Sequence, residues 1–75
     1  MTAQEIGAFV RTARHAQSLR QDQLAAAAGV GLRFLVELER GKPTVQLAKV
    51  LAVLAALGCS LEVTLPPAAA PGADR

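Results

Sequence analysis

Apolar residues recur along this chain with a helical period in four stretches and with a strand-like period in a fifth. Ile6, Phe9, Val10, Ala13 and Gln17 fall on one stripe of a helix, with His15 on the opposite, solvated side. Thr2 with Glu5 three positions later has the capping-box spacing that starts such a helix. The pattern breaks over residues 17–20. A second short helix, Gln21 to Ala28, is nearly all alanine around Leu24, and Gly29 ends it. A third, Leu32 to Arg40, turns Leu35 and Leu38 inward and stops at Gly41. Lys42 and Pro43 make a turn, Thr44 is the expected N-cap, and Leu47, Val50, Leu51, Leu54 and Leu57 form the inward stripe of a fourth helix closed by Gly58. Residues 61–65 alternate apolar and polar, which predicts a half-buried strand stopped by Pro66 and Pro67. One domain is therefore expected over residues 1–65, and residues 66–75, rich in Pro, Ala and Gly without periodicity, read as a flexible tail.

Composition narrows the class. The 75 residues are 52% hydrophobic but only 3% aromatic, with no Trp or Tyr, so the core must be built of Ala, Leu and Val, a helical palette. The fold class is therefore all-α. One cysteine, Cys59, and one histidine, His15, allow neither a disulfide within the chain nor a four-ligand zinc site. No metal or cofactor is expected, and a reducing cytoplasm is the natural setting. No apolar run approaches the roughly 18 to 20 residues that span a bilayer, and the first residues lack the basic start and apolar block of a signal peptide. Ser18, Ser60, His15 and Cys59 show no arrangement suggesting a nucleophile, a base and an orienting acid, so no enzymatic activity is expected.

A core this small supplies only about 3 to 5 kcal/mol, so association with a second copy helps it persist. The lone strand needs a partner as well. Leu61, Val63 and Leu65 are accordingly expected to pair antiparallel with the same residues of a second chain in a homodimer, covering the fourth helices. Cys59 beside the strand reads as a small buried hydrophobe, although a two-fold axis nearby could bring two copies together.

Two short helices joined by a tight glycine turn, the first alanine-rich so that its partner approaches closely, specify a helix-turn-helix. Here the segment is QDQLAAAAGVGLRFLVELER: Ala25 sits at the helix crossing, Gly29 makes the turn, and Val30, Leu35 and Leu38 pin the second helix. Wheel positions place Arg33, Val36, Glu37 and Arg40 outward, with Leu32 at the edge, on the face expected to enter the major groove of double-stranded DNA. Arg33 can fork two donors onto guanine O6 and N7, or pair with Glu37 one turn on. Glu37 can accept from cytosine N4 or merely repel phosphate at the rim. Gln21 opens the first of these helices where a backbone phosphate approaches, and Arg20 and Lys42 flank the motif as sequence-independent attractants; each also reads as plain solvated surface. The net charge of +2 agrees with a nucleic-acid partner without demanding one.

Over residues 5 to 58 the chain resembles the Cro and repressor (XRE) family of helix-turn-helix regulators, through Arg14, Leu19, Gln21, Leu24, Ala25, Gly29, Val30, Leu35, Glu39, Gly41, Leu57 and Gly58. The resemblance implies a lambda-repressor-like domain of four main helices and supports the phosphate role of Gln21. It also implies a largely buried salt bridge between Arg14 and Glu39 that holds the recognition helix at its angle. The run GVGLRFLVELERGKPTV followed by a terminal strand is similar to the HipB-type antitoxins. That likeness implies a repressor of its own operon that also binds a HipA-like kinase toxin; a stand-alone regulator and a protein-interaction adaptor are the alternatives. Arg20 stands where the family usually has a capping Ser or Thr, and Gly31 where it usually has Ser, which weakens the transfer of the family's side-chain phosphate contacts to those two positions.

Overall fold

At the start of the chain Glu5 N–H donates to Thr2 Oγ1 at 3.1 Å while Thr2 N–H donates to Glu5 Oε1 at 2.9 Å, and this reciprocal cap launches the first helix. The structure, a computed structural model, describes residues 1–67. Four helices follow in order: α1 (Ala3–Ala16), α2 (Gln21–Ala28), α3 (Leu32–Glu39) and α4 (Leu47–Ala56). α1 packs on α3, α2 on α3, and α2 on α4. Between them lies a core of Val10, Leu24, Ala25, Leu35, Leu38, Val50, Val53, Leu54 and Leu57, aliphatic throughout.

The closest backbone approach is at Gly7 of α1. A Cβ there would strike the carbonyl oxygen of Leu38 and lie 3.1 Å from both Glu39 O and Gly41 N, so the absence of a side chain is what lets α1 lie against the end of α3. At the far end of α1 the chain reverses through Ser18, whose φ is 56°. This turn brings Leu19 N–H to Arg14 O at 3.1 Å and the Gln17 side-chain amide to Leu57 O at 2.8 Å, tying the ends of α1 and α4 together.

Several details differ from the pattern-based reading. α4 begins after Gln46, not after Thr44, because Val45 first tucks against the core in a non-helical stretch. α3 ends at Glu39 with Arg40 as its C-cap, one residue early. In α4 the buried stripe is Val50, Val53, Leu54 and Leu57, while Leu47 and Leu51 are exposed. Phe9 is half-exposed at the edge of its stripe, and Cys59 is half-buried against the core. Residues 61–65 form no strand, and the described residues contain none. A ladder needs a second edge, which a single chain lacks, and the segment lies exposed with Leu61 reaching back toward Ile6 and Leu54. Of the tail assigned to 66–75, residues 68–75 lie outside the described residues.

Candidate nucleic-acid interface

The helix-turn-helix is built on the turn between α2 and α3. Gly29 adopts the left-handed conformation, φ 71° and ψ 30°, and Val30 N–H donates to Ala25 O at 3.0 Å, closing α2 with a glycine cap. Ala25 is buried at the crossing, and Leu24, Leu35 and Leu38 anchor both helices from below. Gly31 then starts α3 in extended conformation without a side-chain cap. The inner face of α3 is thereby fixed, and its outer face has nowhere to go but solvent.

That outer face carries Leu32, 49% exposed, and Arg33, whose side chain is 92% exposed. Val36 and Glu37 are half-buried beside them, and Arg40 is exposed at the C-cap. Glu37 faces two cations: Lys42 Nζ at 3.3 Å, with hydrogen-bond geometry, and Arg33 Nε at 3.8 Å, without it. Arg33 therefore extends outward with only loose intrahelical company, a pairing worth a few tenths of a kcal/mol. Glu37 acts first as an internal counter-charge for Lys42.

At the head of α2 the cap is half of a box: Arg20 N–H donates to Gln23 Oε1 at 2.8 Å, and arginine offers no acceptor in return. The Arg20 guanidinium instead sits 3.1 Å from Asp22, holding that carboxyl below its ordinary range through their hydrogen bond. Both groups are exposed, so the contact partly offsets the charge of Arg20 and adds little to stability. Gln21 does not point freely outward. Its amide nitrogen donates to Glu39 Oε1 at 3.1 Å.

Glu39 is the hub beneath this surface. Arg14 Nε meets Glu39 Oε2 at 2.7 Å and Arg14 Nη2 meets Oε1 at 3.0 Å, a forked pair with side chains 10% and 4% exposed. Arg14 Nη1 donates to Leu19 O at 2.8 Å, and Nη2 also lies 3.1 Å from His15 Nε2. The guanidinium can only donate, so that ring nitrogen accepts. The hydrogen bond to Glu39 holds Arg14 above its ordinary pKa against the opposing pull of burial. One network thus joins α1, the α1–α2 turn, α2 and α3, and among the described residues no buried side-chain polar atom is left without a partner.

Two features of the site escaped pattern reasoning. Glu37 accepts from Lys42, a contact set by the α3–α4 turn, beside the Arg33 pairing that helix spacing had offered. Arg11, on α1, borders the same hollow as Gln21, Val36 and Arg40; its position three residues before Arg14 was the available signal. Leu61, Val63 and Leu65 lie well away in the chain, past α4, and are 39%, 83% and 44% exposed. Among the described residues no three His, Cys, Asp or Glu side chains gather as metal ligands, and no helix is long and apolar enough to cross a membrane.

Residues 5–65 match the sequence family described as a helix-turn-helix domain. The chain is also 60% identical over 65 residues to the uncharacterized HTH-type transcriptional regulator y4mF of Sinorhizobium fredii (strain NBRC 101917 / NGR234), an alignment covering 87% of this chain and 86% of that protein.

Proposed function

The chain belongs to the helix-turn-helix domain family, and from that premise we propose that it is a cytoplasmic DNA-binding transcriptional regulator that represses from a palindromic operator as a homodimer. The observation that carries the reading is α3 itself: its inner face is locked by Leu35, Leu38 and the Arg14–Glu39 pair, while Arg33 projects with 92% of its side chain exposed. An arginine held near a helix N-terminus at that exposure matches the bidentate guanine contact in the major groove. Arg20, Gln21 and Lys42 surround it as backbone contacts, and Leu32, Val36, Glu37 and Arg40 complete the facing surface.

Arg33 and Lys42 separate the two kinds of contact. Arg33→Ala is expected to flatten preference at particular base pairs by about 1 to 3 kcal/mol of discrimination. Lys42→Ala is expected to weaken all duplexes alike and to lower the magnitude of the salt slope by about 0.9 per chain. Binding isotherms of each variant on the chain's own promoter and on base-substituted copies decide the matter. If both variants behave like the parent, another surface binds DNA.

The dimer is supported by the exposed alternation of Leu61, Val63 and Leu65 with Glu62 and Thr64, and by an apolar groove of about 230 Å³ beside it, lined by Ile6, Phe9, Leu54 and Leu61 among others. Two copies of residues 61–65 in antiparallel register would satisfy each other's open edges, and a dimer reading paired half-sites needs its two α3 helices about 34 to 36 Å apart, one turn of duplex. Light scattering is expected to give a dimer for the parent at micromolar concentration and a monomer for Val63→Pro, which removes a ladder donor. A monomeric parent contradicts the pairing. The likeness to HipB-type antitoxins extends the proposal to a HipA-like kinase toxin as second partner, which co-purification of the two chains tests; a stand-alone regulator gives no such complex.

A further inference from the structure

We infer that the hollow between α1, α2 and α3 is a seat for a DNA backbone phosphate, and that Arg11 of α1 is a direct contact to it. The hollow measures about 320 Å³ and is lined by Arg11, Arg14, Gln21, Val36, Glu39 and Arg40. Its charges do not cancel. Arg14 and Glu39 neutralise each other in their forked pair, and all three guanidinium nitrogens of Arg14 already have partners, so Arg14 is spent. Gln21 is neutral and donates to Glu39. Arg11 and Arg40 remain, both exposed and neither in an ion pair among the described residues.

A local structural role for Arg11 is not available on α1. The helix-spaced neighbours of Arg11 are Gly7, Ala8, Arg14 and His15, none of them an acid. Arg40 has Glu37 three residues back, but Glu37 faces Lys42 and Arg33. Two unspent guanidinium groups lining one hollow match a phosphodiester, whose oxygens take forked donors. Double-stranded DNA is favoured over an acidic protein because the same hollow includes Gln21 and Val36, which belong to the face proposed to meet the duplex, so one backbone strand reaches both. The inference rests on that reading of α3, and it adds α1 to the DNA-binding surface.

The test measures anisotropy of a labelled mixed-sequence DNA duplex with the parent, Arg11→Ala and Arg11→Lys at several salt concentrations, with the thermal midpoint of each. Arg11→Ala is expected to keep the parent's midpoint and to lower the magnitude of the salt slope by about 0.9 per chain, whereas Arg11→Lys keeps the slope. An unchanged slope and affinity in Arg11→Ala, beside a steep parent slope, overturns the Arg11 contact and leaves the function of α3 standing. A parent with no salt-dependent affinity overturns both. A lowered midpoint with weaker binding and the parent's slope in both variants assigns Arg11 to folding, and binding of poly-glutamate lost in Arg11→Ala with the DNA slope intact assigns the hollow to an acidic protein; either overturns the proposal.

Discussion

Glu39→Ala is expected to lower the unfolding free energy by about 3 to 5 kcal/mol, comparable to all that a core of this size supplies. The loss is large because the substitution does not remove a pair; it strands one. Arg14 is only 8% exposed, and without Glu39 its Nε and Nη2 lose their carboxylate while the charge stays inside. Gln21 loses its acceptor as well. Glu39→Gln keeps the shape and one acceptor but not the charge, so it is expected to fall between parent and alanine. Urea denaturation measures all three, and a midpoint unmoved by Glu39→Ala contradicts the structural role of the pair.

Gly7→Ala separates two opposed effects by sign. On an exposed helix the change from glycine to alanine stabilises by about 1 kcal/mol. Here the new methyl runs into Leu38 O and presses on Glu39 O and Gly41 N, all backbone atoms that cannot rotate away. The two helices must part, and overpacking of this kind costs up to about 3 kcal/mol, occasionally more. A clear drop in the thermal midpoint is expected. A rise places α1 farther from the end of α3 than the structure has it.

The helix-turn-helix was legible because each of its parts has a local cause. Gly29 supplies a left-handed cap, Leu24, Leu35 and Leu38 fall on inward wheel positions, and α2 begins and ends at the residues its pattern marks. The contact of Arg14 with Glu39 came instead from family resemblance, since residues this far apart in the chain share no periodicity. α4 misled the wheel. Its segment LAKVLAVLAA is apolar on nearly every side, so Leu47 and Leu51 looked as suited to burial as Val53, and only packing against α2 decides. Gly7 was silent because nothing in a helical pattern distinguishes a glycine that admits a neighbour from one that is merely tolerated. The alternation of Leu61, Val63 and Leu65 read as a strand, but alternation alone makes none without a second edge, and the segment is irregular in the structure.

The outer face of α3 is proposed to read duplex DNA. The most direct test is the affinity of the parent for its own promoter duplex, set against a scrambled duplex of the same length across a salt series. Expected is a linear fall of log affinity with log salt on both, with the promoter bound at least about a thousandfold tighter and that margin reduced by Arg33→Ala. Equal affinity for the two duplexes, or no binding at low salt, contradicts the account.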